Sequence, residues 1–446
     1  MTKSSRSLKE KAGTGFWWSA QNLERLIFYL LILFLPTQLG KHFWSDFSIV
    51  SGIRVDYLSP TIYVTDIFIL LLFVFSVSSI RISKIKYQIS KMVFAYWRLI
   101  VLVIFLAIGI WFSKNTIAGG YGLLKFLEFL FLGFYVATNF KKFGLRNIVL
   151  LFSVGIILES LLAIAQYFQQ ASLGSIFYFF GERTFSLTTP GIANASLNGF
   201  LILRPYGTFS HPNVLAGYLV IAMTLIIFNF KKPIFMAALI IGTLALFLTL
   251  SRVAILLWLI VFGSWLIARG IKKIKLQAST FYVLFSIFSL LLVGFIFANS
   301  AFRYRFTNIN LSDEAIVQRE SLINSSISMT KEHPIFGAGL NNFLVNLPSY
   351  QTSRTPLFYL QPVHNIFILV AAETGIIGLA FFLWFIIVTY KRVLNKNQFL
   401  IHNSLFIVLS SILILGMFDH YFLTLQQGQI LLALVFGLCW SKEYEV

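Results

Sequence analysis

Asn365–Tyr390 reads NIFILVAAETGIIGLAFFLWFIIVTY, and Leu276–Ala298 reads LQASTFYVLFSIFSLLLVGFIFA. Each is apolar for longer than the roughly 20 residues that cross a bilayer. Glu373 is the only charged residue in either. Lipid offers no water to backbone N–H and C=O groups, so a spanning segment is a helix or a strand of a closed barrel. Barrel strands would be short and alternate apolar with polar residues. These runs do neither, and the expected fold class is an all-α integral membrane protein.

Composition agrees. The chain is 58% hydrophobic and 11% charged. A soluble domain carries about 25% charged residues, so this chain has too few polar groups to cover a water-facing surface. About twelve spans are expected, near 24–39, 61–79, 92–112, 119–139, 147–168, 212–229, 233–250, 252–268, 277–298, 365–390, 399–417 and 425–440. Residues 1–446 then form a single polytopic membrane domain. Met1–Asn22 is basic and polar, without an apolar core before a small-residue cleavage site, so the first span is expected to act as the insertion signal.

The net charge of +19 follows from orientation rather than from nucleic-acid binding. With both termini cytoplasmic, the short cytoplasmic loops are Arg81–Lys91, Lys141–Arg146, Lys231-Lys232, Arg269–Lys275 and Lys391–Lys396. All are basic and none carries an Asp or Glu, the bias that sets topology. Two long segments, Gln169–His211 and Asn299–Val363, fall on the extracytoplasmic side. The second, of roughly 65 residues, is far longer than an ordinary connection and is expected to be functional. Short helices are expected in it. Ser312 can cap one, with Asp313 and Glu314 in its first turn. Ile316, Ile323 and Ile327 would share a face, with Arg319 at its edge and directed inward. Gly337-Ala338-Gly339 after Pro334 reads as a tight turn.

The even-numbered helices start on the extracytoplasmic side. The sixth starts at Ser210-His211-Pro212-Asn213, the eighth at Ser251-Arg252, the tenth at His364-Asn365. Helix N-termini present unpaired N–H groups and partial positive charge. Together with Arg204, Arg252, Arg319 and two histidines they form a candidate anion site. On a membrane protein such a site suits a lipid-linked phosphate or diphosphate. Within the fourth helix, Lys125 and Glu128 lie three residues apart, either as a mutual pair or as a substrate contact. Glu159 has no visible partner in the fifth. Glu373 lies nine residues past His364, at about 100° per residue on the opposite face, which argues against a His–Glu dyad. The single cysteine, Cys439, excludes an intramolecular disulfide and a cysteine metal cluster. No Asp-x-Asp motif of metal-dependent sugar transfer occurs.

Several stretches resemble the O-antigen ligase and polymerase superfamily. Arg204-Pro-Tyr-Gly-Thr-Phe-Ser-His211-Pro-Asn-Val-Leu-Ala-Gly-Tyr is similar to its GTF-x-HPN-x-LA stretch. Thr249-Leu-Ser-Arg252-Val-Ala resembles its SR-x-A helix start. Arg319 followed by His333-Pro-Ile-Phe-Gly337-Ala-Gly339-Leu-Asn-Asn342-Phe343 resembles its long loop. His364-Asn365 through Glu373-Thr-Gly375-Ile-Ile-Gly378 resembles its HN…E-x-G-x-x-G helix. Asp419-His420-Tyr421 with Gln426-Gln427-Gly428-Gln429 resembles its last outer loop and helix. The motifs run in family order from Arg204 to the C-terminus.

The resemblance implies a metal-independent and cofactor-free membrane glycosyltransferase or ligase of the cell envelope. It would move glycan from an undecaprenyl-diphosphate carrier to an acceptor hydroxyl on a glycan or glycolipid. The reaction would take place at the outer face of the cytoplasmic (inner) membrane. His364 matches the family's general base, and Arg252 and Arg319 match the arginines on the diphosphate. Arg204, His211, Asn365 and Lys125 are the further candidate substrate contacts. Ligation and chain polymerisation both remain open. The rival from another class is a transporter or flippase for lipid-linked sugars or a small anion. Such carriers hold their polar residues near the bilayer midplane, whereas these candidates gather at one surface.

Overall fold

The computed structural model describes residues 20–78, 85–197, 200–228, 232–271, 314–351, 359–395 and 399–441, together with the single positions 294 and 298. Most of the ninth expected span (277–298), the Ser312 cap, and residues 81–84 and 272–275 of the basic loops Arg81–Lys91 and Arg269–Lys275 lie outside the described residues.

The protein is mostly helical. The long helices are α1 (Ala20–Leu33), α2 (Val64–Ser78), α3 (Ile85–Trp111), α4 (Thr116–Phe143), α5 (Leu145–Gln169), α6 (Pro212–Ile227), α7 (Pro233–Leu248), α8 (Arg252–Ile271), α9 (Glu314–Glu332), α10 (Ile366–Leu394), α11 (Phe399–Gly416) and α12 (Gln426–Trp440). All except α9 coincide with stretches expected to be spans. Three, α4, α5 and α10, are long and apolar enough to cross a membrane by length and composition. The others include several shorter apolar helices.

Shortness has a physical reason in α6. Every residue from Val214 to Ile227 is buried. A helix that is apolar on all sides sits inside the protein, so its length is set by its neighbours rather than by the bilayer. Around it pack α5, α7, α8 and α11. The outer helices turn large aliphatic side chains outward, among them Leu70, Ile104, Leu158, Ile260 and Ile387. A surface of that kind suits lipid.

Among the described residues the strands are few and short. Antiparallel pairs join β1 (Gly40–His42) to β4 (Thr61–Tyr63), β2 (Ile49–Val50) to β3 (Ile53–Arg54), and β5 (Asn194–Leu197) to β6 (Phe200–Leu203). The β1–β4 segment packs Val50, Val55 and Leu58 against Leu322 and Met329 of α9 and against Phe343, Leu344 and Leu347. The N-terminal part of the chain therefore helps close one end of the bundle.

Two features of the long loop were misjudged from sequence. The isoleucine stripe of α9 is not its packed face: Ile323 and Ile327 are exposed, while Leu322, Ser325, Ser326 and Met329 are buried. The serines allow close approach to α10. Ser326 Oγ donates to the Leu322 carbonyl at 2.6 Å, and Ser325 Oγ to the Tyr350 carbonyl at 3.1 Å. A small face that satisfies its own hydroxyls packs tighter than a stripe of branched side chains. Arg319, expected to point inward, is exposed.

Helix α10 is broken at Gly375, whose φ is 69° and ψ −174°. The Pro334–Phe343 turn fills the break. Ala338 N donates to the Ala372 carbonyl (2.8 Å), Gly339 N to the Glu373 carbonyl (3.0 Å), and Ile376 N to the Pro334 carbonyl (2.8 Å). Gly337 and Gly339 take positive φ values of 66° and 97°, as a tight turn of that sequence requires. The glycine-rich turn and the Glu-x-Gly helix are thus two halves of one joint. The Glu373 carboxylate completes it by accepting from Phe343 N at 3.3 Å.

Candidate functional site

The site is built at one end of the bundle, where α6, α8, α10 and α12 begin and α1, α5 and α11 end. Hydrogen bonds tie these termini together. His211 is the N-cap of α6, its Nδ1 accepting from Asn213 N at 3.1 Å. Asn365 is the N-cap of α10, its Oδ1 accepting from Phe367 N (2.9 Å) and Ile368 N (3.1 Å). Its Nδ2 donates to the Met417 carbonyl at 3.1 Å, which holds the end of α11 against the start of α10. Asn365, a candidate substrate contact, thus has both ends of its amide engaged.

The Arg204–Asn213 stretch is held from below by α5. Gln166 Oε1 accepts from Tyr206 N (3.0 Å) and Gly207 N (2.8 Å). Glu159, for which the sequence offered no partner, accepts from Thr208 N (2.9 Å) and Thr208 Oγ1 (2.8 Å). Arg204 is buried. Its Nε donates to the Thr249 carbonyl at 2.7 Å and its Nη2 to Asn213 Oδ1 at 2.7 Å. It binds the end of α7 to the start of α6. Arg252 opens α8 three residues later, half-buried. No described residue forms an ion pair with Arg252 or Arg319.

Asn213 passes the connection on, its Nδ2 donating to Asp419 Oδ2 at 3.1 Å. Asp419 Oδ1 accepts from His420 N at 2.9 Å. The rings of His364 and His420 meet edge to face, 5.1 Å between centroids, and Tyr57 meets His420 likewise at 5.4 Å. One ligand-type atom each from His364, Asp419 and His420 lies within 4.8 Å of the others, so among the described residues these three could hold a metal ion. Asp419 and His420 are the site residues that were not singled out as candidates. The signal was present: Asp419 is the only acidic residue between Glu373 and Glu443. Arg183, also passed over, donates to the Ser210 carbonyl at 3.3 Å beside the α6 cap.

The electrostatics favour neutral imidazoles around one carboxylate. Burial lowers the His211 pKa to about 3, with Arg204 acting in the same direction and Asp419 against it. Burial likewise brings His420 to about 3 despite Asp419. His364 is lowered from 6.5, again by burial first; Asp419 opposes and Arg319 assists. The Asp419 carboxyl is held below its usual range by the three histidines, although its own burial acts the other way. The Nδ1 of His364 is buried without a hydrogen-bond partner among the described residues.

Lys125 lies apart from this cluster. Its Nζ is 2.7 Å from Asp66, 3.0 Å from Glu128 and 3.4 Å from Gln426 Oε1. Gln426 also donates to Thr65 Oγ1 at 3.0 Å and to the Asp66 carboxylate. The ammonium thereby ties α2, α4 and α12 together, and its partners surround it as a buried ion requires.

A family model described as O-antigen ligase (Wzy_C) matches residues 235–383. The match covers about a third of the chain, from α7 into α10, and supports the ligase and polymerase superfamily. Arg252, Arg319, His364 and the Gly337–Gly375 joint fall inside it, while His211 and Asp419-His420 flank it. No curated protein matches the chain. A domain of this family implies a membrane protein of polysaccharide biosynthesis, a glycosyl-transferring enzyme acting on lipid-linked glycans.

Proposed function

We propose that the protein transfers glycan from an undecaprenyl-diphosphate carrier to an acceptor hydroxyl at the extracytoplasmic end of a bundle of about twelve spans. His364 is the general base, and Arg252 and Arg319 meet the charge of the departing diphosphate, without a metal. The observation that carries this reading is His364 itself. It is a half-buried imidazole biased toward neutrality, set at a helix start against Asp419 and His420, inside the ligase-like segment. A neutral imidazole can take the acceptor proton near neutral pH. The acceptor oxygen then attacks the anomeric carbon, and the bond to the diphosphate breaks with its electron pair leaving on the phosphate. A diphosphate leaves readily once its charge is met, and a guanidinium meets it with two parallel hydrogen bonds. Neither arginine carries an ion pair among the described residues.

Two experiments follow from this reading. Orientation is tested by single-cysteine labelling in a Cys439→Ala background. A cysteine at Ser349 is expected to react with an impermeant thiol reagent on intact cells, and one at Asn397 only after permeabilisation. The reverse pattern would remove the proposed location of the chemistry. The clamp is tested by Arg252→Lys and Arg319→Lys. Lysine keeps the charge but loses the planar fork. Each variant is expected to fold and to transfer glycan more than tenfold slower, about 1.4 kcal/mol of transition-state binding. Near-normal rates in both would leave only bulk charge at this site.

A further inference from the structure

Between α5 and the Arg204–Asn213 stretch the chain makes a short 3₁₀ helix, Ser175–Phe180, of sequence SIFYFF. None of its residues is buried. Ile176, Tyr178, Phe179 and Phe180 are 61%, 58%, 70% and 51% exposed. So much apolar surface on one loop calls for a partner. The loop is built to present it. Gly174 and Gly181 bracket the helix with positive φ values of 69° and 97°. The buried Glu182 carboxylate closes it, accepting from Leu173 N at 2.8 Å and Gly174 N at 2.7 Å. Gly181 lies so close to Thr37 that an added Cβ would overlap its Oγ1. Pinned at both ends, the helix holds its side chains outward.

The same contacts set its height. Gln166, three residues before the end of α5, donates its Nε2 to Glu182 Oε1 at 2.8 Å. Thr37, in the turn that follows α1, donates its Oγ1 to the Phe180 carbonyl at 2.6 Å. The chain thus folds back to the level at which two apolar helices end. The 25 residues of α5 rise about 37 Å, a little more than the roughly 30 Å of hydrocarbon. Its end therefore falls in the headgroup layer, where aromatic side chains gather. An exposed stripe of Leu158, Leu161 and Phe168 runs up α5 to its last turn, so the lipid-facing surface is continuous to that level. The strand β1 that follows Leu39 adds charge. Lys41 Nζ lies over the exposed Phe43 ring at 5.6 Å, and Arg54 over the exposed Trp44 ring at 5.3 Å. Aromatic and basic side chains together are the anchors of a membrane–water interface.

We propose that Ser175–Phe180 is an interfacial anchor, its apolar face seated among the phospholipids of the outer leaflet, and that it sets the depth of the candidate site. The segment Gln169–His211 is then in part a membrane-surface element and not wholly a water-facing loop. One side chain joins anchor to site. Gln166 donates to Glu182 and also accepts from Tyr206 N and Gly207 N, in the stretch that carries Arg204 and His211. A lipid-linked diphosphate keeps its tail in hydrocarbon and its charge among the headgroups, so a site that receives it must be held at that depth. This second part rests on the reading of the protein as a glycan transferase; the anchoring itself does not.

Depth is read by spin-label EPR on full-length protein in phospholipid nanodiscs, in a Cys439→Ala background. Single labels are placed at Phe179→Cys and, as the water-facing comparison, at Ser349→Cys. The label at 179 is expected to collide more with oxygen, which concentrates in lipid, than with a water-soluble nickel chelate. It should lie about 5–10 Å into the headgroup and acyl boundary, whereas the label at 349 should favour the chelate. Equal access of the chelate to both labels would overturn the proposal. So would dipolar broadening at 179 that vanishes on dilution with unlabelled protein, since the occupant would then be a second copy. The link to the site is read with Phe179→Asp. This variant is expected to melt like the wild type and to transfer glycan about tenfold slower or more in nanodiscs. In detergent micelles, where no bilayer sets a depth, its rate should match the wild type. A full rate in nanodiscs, or an equal loss in both media, would overturn the depth role. If the wild type transfers no glycan while the label sits at the stated depth, the functional reading fails and the anchor stands.

Discussion

His364→Ala is expected to slow glycan transfer by roughly 10²–10⁴-fold while leaving binding of the lipid-linked donor in place. The loss separates two roles that share one position. A base must be neutral to work; a cationic phosphate ligand must be charged. Burial and Arg319 lower the His364 pKa from its ordinary value, which favours the neutral ring near neutral pH. Activity governed by His364 is therefore expected to fall as acid protonates the ring and to level off as pH rises. A phosphate-binding imidazolium would give the opposite slope, with activity lost as pH rises. His364→Arg distinguishes them again, since it restores a cation but not a base. Transfer rates of wild type, Ala and Arg variants across about pH 5.5–9 decide the matter. An active Arg variant would reduce this site to electrostatics.

The second large effect is on folding. Gly337→Ala is expected to destabilise the protein by about 2–5 kcal/mol. The left-handed backbone costs a non-glycine residue roughly 1–2 kcal/mol, and overpacking adds about 1–3 kcal/mol. At φ 66°, an added Cβ would overlap the backbone of Glu373 and Thr374, which cannot swing aside as a flexible side chain would. The Ala338–Ala372 and Gly339–Glu373 bonds would open with it. Because the same joint sets the first turns of α10, activity should fall along with the melting temperature in detergent. Gly120→Ala, where a Cβ would meet nothing within 4 Å inside α4, is the control and is expected to melt like wild type. Equal melting of Gly337→Ala and wild type would show that the turn does not depend on the close approach.

The helices were legible because a chain in lipid must satisfy its backbone locally, and apolar length alone then marks each segment. Their starts were legible too, since His211-Pro212 and Asn365 are caps that act within one turn. What the sequence could not supply was contact across tens to hundreds of residues. Nothing local ties Asn213 to Asp419, Arg204 to the Thr249 carbonyl, or Tyr57 to His420. The break at Gly375 was hidden for the same reason: its cause, the Pro334–Phe343 turn, lies some forty residues earlier. The isoleucines of α9 misled because periodicity reports an apolar face without saying what covers it. In a membrane protein that face need not be the packed one. Family motifs covered His364, Arg252, Arg319 and Asp419-His420, and geometry brought the last two against His364. Geometry also gave Lys125 and Asn365 structural partners that occupy them.

The most direct measurement is transfer by the purified protein in proteoliposomes holding a radiolabelled glycan on undecaprenyl diphosphate, with an acceptor glycan or glycolipid and with EDTA present. The expected result is label moving covalently to the acceptor, unaffected by the chelator and abolished in His364→Ala. Label that stays on its carrier, crosses the membrane with the carrier intact, or moves only when a divalent metal is restored would contradict it.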